Sequence, residues 1–373
     1  MNIRSEVFSN QSLQDWQTLA EKELKGKSLD SLVRHKEEGI FLFPYATEGS
    51  STNEVTFRAT PSWQLHQSFQ TTDPMAWNVL ALEALNGGAN SLTIPASFNA
   101  SELKVALKDI FVGFINWELE AHAEQADDQI DALKQAYESQ DRAGVLAFIH
   151  SKHINTNILF GNHATASEQI AFAVLAGIEF IENTHLSIDE ASAQVLFHFS
   201  VGSELYVEIA KLRAFRAVWS HVLKSGSPEH ACSNHAFVKV QTDGYFQAKK
   251  DTDNNLIRST IQALAASVGG ANRIEVLPME FAMGRDVSDH LRWARNIQHL
   301  LIEESYFDKY SDLAKGSYSL EKLTEDMSVK AFEIMKNFET SEKLLNFIQN
   351  NKEEKSLQHA QRVVVGENKY VQS

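Results

Sequence analysis

Two short clusters of histidine and cysteine contain residue types that bind metal ions. His150 and His153 lie in HSKH, and His230, Cys232 and His235 lie in HACSNH. Imidazole nitrogens and thiolates are the usual ligands of zinc. Each cluster lacks a companion cluster elsewhere in the chain, and short motifs of this kind match by chance often. The sequence therefore favours surface or loop histidines, and we predict no metal site.

Three polar residues lie at or just past the ends of predicted strands. His163 lies in GNHATASEQ, Gln241 in VQTDG and Glu280 in LPMEF. In a (β/α)8 barrel the catalytic groups lie at the carboxyl ends of the strands, so all three positions are favourable. His163 is the candidate catalytic residue, with a helix-capping or loop hydrogen bond as the alternative role. From position alone, Gln241 and Glu280 are predicted only to lie at the rim of the barrel.

The elements that must position these residues alternate between strands and helices. We predict eight strands, in WQLHQSF, SLTIP, FINWEL, GVLAFIH, NILFGNH, QVLFHFS, AFVKVQT and RIEVLPM. Helical patterns separate nearly all of them, which indicates parallel pairing and a closed (β/α)8 TIM-type barrel. An open, doubly wound sheet is the alternative, because a strand count from sequence is uncertain by one or two.

The chain divides into three regions. Residues 1–60 are predicted to form an N-terminal arm, with a short helix in SLQDWQTLAEKELKG and an extended segment in GIFLFPYA. Residues 61–340 form the barrel, and residues 341–373 form a charged C-terminal helix or tail. The long helix in GSELYVEIAKLRAFRAVWSHVLK places charged residues among apolar ones, a pattern typical of a helix that packs on more than one side.

Composition excludes several classes of protein. The formal net charge is -15, which disfavours binding to nucleic acid or to an anionic membrane surface. Cys232 is the single cysteine, so the chain cannot form an intramolecular disulfide. No apolar run approaches the ~18–20 residues that span a bilayer, and the first residues lack the apolar core of a signal peptide. We expect a cytoplasmic protein.

Several long stretches, taken together, resemble one known family. They are GNHATASEQ, EIAKLRAFRAVW, QTDGYF followed by DNNLIRSTIQALAA, WARNIQHLLIEES, and GSYSLEKLTEDMSVKAFE. From about Trp63 to Phe338 the chain resembles the substrate-binding barrel of the methylmalonyl-CoA mutase family. The resemblance implies a radical interconversion of methylmalonyl-CoA and succinyl-CoA that depends on adenosylcobalamin. It also implies a barrel axis that admits the pantetheine arm of the acyl-CoA.

The resemblance also implies roles for individual residues. His163 would approach the substrate thioester beside the cobalamin, and Gln241 and Glu280 would lie against the corrin, Glu280 with an offset of one residue. The positions at which this sequence differs from the family's motifs are equally informative. Ser68 stands where the family has a tyrosine beside the radical, and His66 stands where it has an arginine. No histidine has an aspartate two positions before it, so the Asp-x-His-x-x-Gly motif that ligates cobalt is absent from this sequence.

These departures lead to an expectation and two alternatives. We expect a small-subunit type of barrel without a C-terminal cobalamin-binding domain, inactive alone and paired with a large catalytic mutase subunit or with itself. The first alternative is a catalytic acyl-CoA mutase barrel whose cobalamin domain is a separate chain or was truncated. The second is a stand-alone barrel that binds acyl-CoA without turnover.

Overall fold

The protein is described here by a computed structural model. The structure describes residues 12–37, 39–43, 58, 60–120, 123–148, 152–245, 247–353 and 362–371. Within these ranges no helix is long and apolar enough to cross a membrane.

Eight parallel strands form the central sheet. A small antiparallel hairpin, β1 (Arg34–Glu37) and β2 (Ile40–Leu42), precedes them. The central strands are β3 (Gln64–Gln67), β4 (Ser91–Ile94), β5 (Asn116–Leu119), β6 (Ala147–Phe148), β7 (Lys152–Asn155), β8 (Val195–Val201), β9 (Phe237–Thr242) and β10 (Arg273–Glu275). Their order is β6-β5-β4-β3-β10-β9-β8-β7, so the first central strand pairs with the last. This confirms the barrel topology, although no ladder joins β6 to β7 among the described residues.

Helices follow the strands and cover the outside of the sheet, except α1, which precedes the first strand and has no buried residue. They are α1 (Leu13–Glu23), α2 (Pro74–Asn86), α3 (Ala100–Ala106), α4 (Ala123–Ser139), α5 (Asn157–Gly161), α6 (Ala166–Asn183), α7 (Ile188–Ala193), α8 (Leu205–Ser225), α9 (Asp253–Val268), α10 (Ser288–His299), α11 (Tyr318–Phe338) and α12 (Ser341–Asn350). The outward side chains of the strands pack under these helices. Phe197 of β8, for example, lies against Phe215 and Trp219 of α8, with ring centroids 4.7 and 4.8 Å apart.

One predicted strand is wrong. NILFGNH forms the short helix α5 and its following turn, and the strand at this point is the earlier β7. The amides of Leu159 and Phe160 both donate to the carbonyl of Thr156, at 2.9 and 3.2 Å, and so turn the chain back immediately after β7. A short apolar run fits a buried strand or a buried helical turn equally well, so periodicity could not distinguish them. His163 therefore does not end a strand, because the whole of α5 separates it from β7.

The long helix α8 packs on several sides, as predicted, and uses its charged residues as contacts. Lys211 and Glu208 form a buried ion pair at 2.5 Å, and Arg213 pairs with Asp312. Arg216 donates to the carbonyls of Ala236 and Gly270, at 2.9 and 2.6 Å, and to the side chain of Asn272 at 2.7 Å. Gly270 follows α9, so this guanidinium caps the negative end of that helix.

Candidate functional site

Many inward-facing side chains of the barrel are polar, and they form one connected network of hydrogen bonds and ion pairs. A barrel of this type usually fills its interior with branched aliphatic residues. Here Glu118 of β5 reaches Lys239 of β9, and these two strands are not neighbours in the sheet, so the contact crosses the interior. The network contains Gln64, His66, Ser68, Ser91, Thr93, Glu118, His153, Asn157, His198, Ser200, Lys239, Gln241, Arg273 and Glu275.

Four charged residues lie at the centre of this network. Lys239 Nζ lies 2.8 Å from Glu118 Oε1 and 3.0 Å from Glu275 Oε2, and Arg273 Nη1 lies 3.0 Å from Glu118 Oε2. Burial alone would raise the pKa of Glu118, but Lys239 and Arg273 hold it well below its usual value. Burial lowers the pKa of Lys239, and the two carboxylates more than offset that effect. The centre therefore brings two basic and two acidic side chains together, and the pKa shifts of Glu118 and Lys239 favour the charged form of each.

His66 occupies the same level of the barrel as a neutral imidazole. Its Nδ1 lies 2.8 Å from Ser91 Oγ, and its Nε2 lies 2.8 Å from Thr93 Oγ1. Burial holds the pKa of His66 well below its ordinary value, and Lys239 lowers it further. Next to it, Ser68 donates a short hydrogen bond to Glu275. The side chains of His66 and Ser68 are thus both hydrogen-bonded inside the barrel.

A second histidine pair lies on β7 and β8. His153 Nε2 is 3.3 Å from His198 Nδ1, and the two ring planes are 12° apart. His198 Nε2 lies 3.1 Å from the side-chain amide of Asn157. Potential ligand atoms of Glu118, His153 and His198 all lie within 4.8 Å of one another. The fold thus gives His153 the companions that its sequence neighbourhood lacks, whereas His150 lies outside the described residues.

The other cluster of histidine and cysteine, HACSNH, contains a short 3-10 helix, Ala231–Asn234. Cys232 is exposed. Among the described residues, the one grouping that brings three potential ligands together is the histidine pair with Glu118.

His163 lies beside the barrel, between the first turns of α6 and α8. Its backbone is left-handed, with φ 59°, and its amide donates to the carbonyl of Phe160 at 3.0 Å. It lines a cavity of about 150 Å³ together with Phe160, Gln169, Glu204, Glu208, Lys211, Met327 and Arg362, among others. The side chains of the central charged network do not line this cavity.

Gln241 and Glu280 lie in two further environments. Gln241 accepts from Asn157 Nδ2 at 2.7 Å and donates to Glu275 at 3.3 Å, so its amide belongs to the barrel network. Glu280 follows β10 and lies 3.6 Å from Arg285 and 3.7 Å from His290. His163 therefore lines a cavity beside the barrel, Gln241 belongs to the barrel network, and Glu280 contacts Arg285 and His290.

Sequence reasoning missed the central charged residues. The signal was present, because Lys239 stands within FVKVQT, Glu118 within NWEL and Glu275 within RIEV. A charged residue in the middle of an apolar strand is almost never fully buried unless it is paired. Three such strands in one chain therefore point to partners across the barrel, although the sequence does not say which charges pair.

Comparison with known proteins gives a consistent result. The family model described as methylmalonyl-CoA mutase matches residues 148–373. The chain is 30% identical over 235 residues to methylmalonyl-CoA mutase of Escherichia coli (strain K12), covering 58% of the chain and 33% of that protein. It is 25% identical over 324 residues to the methylmalonyl-CoA mutase small subunit of Streptomyces virginiae, covering 75% of the chain and 52% of that protein. It is 32% identical over 199 residues to the mitochondrial methylmalonyl-CoA mutase of Bos taurus, covering 51% of the chain and 26% of that protein.

The chain thus spans between a quarter and about half of the length of these relatives. The matched segment contains β7 to β10 and the helices around them, including α8. Since the family model covers more than half of the sequence, and the barrel has the topology that the resemblance implied, this chain belongs to the methylmalonyl-CoA mutase family.

Proposed function

We propose that this chain is a non-catalytic partner barrel in an assembly of the methylmalonyl-CoA mutase type. In this proposal a large catalytic mutase subunit binds the acyl-CoA and adenosylcobalamin, and the present chain supports it. The observation that carries the proposal is the charged network inside the barrel. Substrate turnover in the family requires, by resemblance, an axis open to the pantetheine arm.

The central charges oppose an open axis. Glu118, Lys239 and Glu275 have side chains that are 7%, 3% and 3% exposed, and Arg273 is fully buried. An incoming pantetheine arm would have to separate these pairs. A buried charge that loses its partner costs several kcal/mol, about 3–5 kcal/mol in measured cases. A neutral amide chain offers no charge to replace the lost partner, so we infer that the acyl-CoA does not pass through this barrel.

The first barrel strand supports the same conclusion. Where the family has an arginine, His66 is neutral and bonded to two hydroxyl groups, so it supplies no cation for a substrate carboxylate. Where the family has a tyrosine, Ser68 bonds to Glu275 and has no ring to cover a radical. The similarity to the small subunit of Streptomyces virginiae, over three quarters of this chain, agrees with a supporting role.

The residues that the resemblance assigned to cobalamin do not fit a joint cofactor surface. Gln241 is occupied by Asn157 and Glu275, and Glu280 is paired with Arg285 and His290. His163 lines a separate cavity between two helices. We therefore derive no reaction step through cobalamin on this chain. In our proposal His163, Gln241 and Glu280 are family positions that now have structural roles.

Native purification from the chain's own cells tests the proposal. We expect a stoichiometric larger relative that carries the Asp-x-His-x-x-Gly motif to co-purify. The chain alone should show no turnover of methylmalonyl-CoA with adenosylcobalamin, and calorimetry should detect no binding of the acyl-CoA. Turnover after addition of a small cobalamin-binding protein would favour a catalytic barrel instead. Tight acyl-CoA binding by the isolated chain or its homodimer would favour a stand-alone binding protein.

A further inference from the structure

We propose that Glu118, His153 and His198 bind one divalent transition-metal ion, of the zinc class, on the inner wall of the barrel. The three residues come from β5, β7 and β8. Two imidazole nitrogens and a carboxylate oxygen are a common protein ligand set for zinc, with a fourth position left for water or another ligand. This proposal does not depend on the supporting-subunit function.

The spacing of the two histidines fits shared coordination. Two nitrogens bound at about 2.0–2.1 Å to one tetrahedral ion lie about 3.3–3.4 Å apart. His153 Nε2 and His198 Nδ1 are 3.3 Å apart, a distance longer than most good hydrogen bonds. One carboxylate oxygen of Glu118 and one ring nitrogen of each histidine all lie within 4.8 Å of one another. His153 is exposed while the other two residues are buried, which gives the ion an access side.

The charge of the surroundings must also allow a cation. Glu118 already bonds to Lys239 and Arg273, but an ionised carboxylate has about four lone-pair sites, so two hydrogen bonds leave room for a metal. Lys239 also contacts Glu275 at 3.0 Å, and this second partner can retain it when the ion binds to Glu118. Lys239 is thus the main competitor of the metal for this carboxylate.

The neighbours of His198 can hold its ring in the orientation that the metal needs. Binding through Nδ1 requires the proton on Nε2, and a residue at this position must accept it. Asn157 Nδ2 lies 3.1 Å from Nε2 and also donates to Gln241 Oε1 at 2.7 Å, so metal binding through Nδ1 requires the amides of Asn157 and Gln241 to rotate together, with loss of the 3.3 Å hydrogen bond from Gln241 to Glu275. Ser200 Oγ, 2.9 Å from the other side of that amide, can donate or accept and so tolerates both orientations.

Metal titration of the full-length chain tests the proposal. After dialysis against EDTA and then into metal-free buffer, Zn²⁺ is titrated by calorimetry, and Co²⁺ is titrated with visible absorption as a probe of coordination geometry. We expect one equivalent per chain. His153→Ala should weaken binding at least tenfold, while His230→Ala, at an exposed histidine of the HACSNH cluster, should leave it unchanged. Lys239→Met, if circular dichroism shows it folded, should bind more tightly because the competing cation is gone.

Three results would overturn the proposal. One is the absence of stoichiometric binding. Another is unchanged affinity in His153→Ala. The third is loss of binding in His230→Ala, which would place the ion in the HACSNH cluster. Because none of these measurements involves acyl-CoA or a second subunit, failure here leaves the proposed supporting role untouched.

Discussion

Removal of the Lys239 charge tests whether the barrel is held closed by a coupled ion network. Lys239 is paired at 2.8 Å with Glu118 and at 3.0 Å with Glu275, and all three side chains are buried. Lys239→Met keeps the apolar stem and removes the ammonium, so two carboxylates then face one guanidinium. Loss of one partner from a buried ion pair costs about 3–5 kcal/mol. We expect the free energy of unfolding to fall by this amount.

A second variant restores the charge balance. In Lys239→Met/Glu118→Gln, Arg273 and Glu275 remain as one cation and one anion, so the interior is again neutral. Residues in contact within one ionic network show interaction energies of about 0.5–3 kcal/mol. The double variant should therefore lose clearly less stability than the sum of its two single variants, and its free energy of unfolding should lie close to that of Lys239→Met alone.

Urea unfolding in the presence of EDTA measures these differences, with EDTA excluding any contribution from bound metal. Lys343→Met is the matched control, because its pair with Glu339 at 3.0 Å is exposed and should contribute less than about 1 kcal/mol. A loss below about 1 kcal/mol for Lys239→Met would refute the reasoning. Strict additivity in the double variant would also refute it, since independent charges would not close the axis together.

Three further variants test the packing around the barrel. Arg216→Met should lower the free energy of unfolding by about 3 kcal/mol, because three buried acceptors each lose a hydrogen bond, although Asn272 Oδ1 keeps the amide of Val238. Arg216→Lys should lower it less, and equal stability of Arg216→Met and wild type would contradict the capping of α9. Gly177→Ala should lower the free energy of unfolding by about 1–3 kcal/mol, because a new Cβ would lie 2.6 Å from the Trp219 ring. An unchanged thermal midpoint would contradict the close packing of α6 on α8. Asn99→Ala should lower the free energy of unfolding by about 1 kcal/mol, because the Asn99 side chain caps the start of α3 in a capping box with Glu102. An unchanged urea midpoint would contradict that cap.

The sequence predicted the barrel well where a segment had a strong period and clear ends. The helix from Pro74 ends at paired glycines, as predicted, with Gly88 in the left-handed region at φ 90°. The segment NILFGNH had neither feature. It is short and apolar, and the deciding contacts, from Leu159 and Phe160 back to Thr156, depend on the chain reversing after β7. Because of that error, His163 was predicted at the end of a strand, whereas it lies beside the barrel.

The candidate site was less predictable than the fold for a physical reason. His153 and His198 meet because Asn155 pairs with His198 across two parallel strands, which puts both histidines on the inner face. Glu118 joins them only because the sheet curls and brings β5 opposite β8 and β9. A linear pattern gives the direction of a side chain relative to its own strand, but the identity of its partner depends on register and curvature.

The stretches that carry the family resemblance are themselves mostly architectural. In EIAKLRAFRAVW, Lys211 bonds to Glu208 and to the carbonyl of Ser200, Arg213 pairs with Asp312, and Arg216 caps α9. These contacts fix how α8 packs on the barrel, and none of them requires a substrate. The departures, in contrast, fall on the inner face, at His66 and Ser68, where the network closes the axis. A chain can therefore keep the scaffold of a mutase while the side chains inside its barrel form a different network. Family membership reflects the scaffold, and the function of this barrel follows from its interior residues.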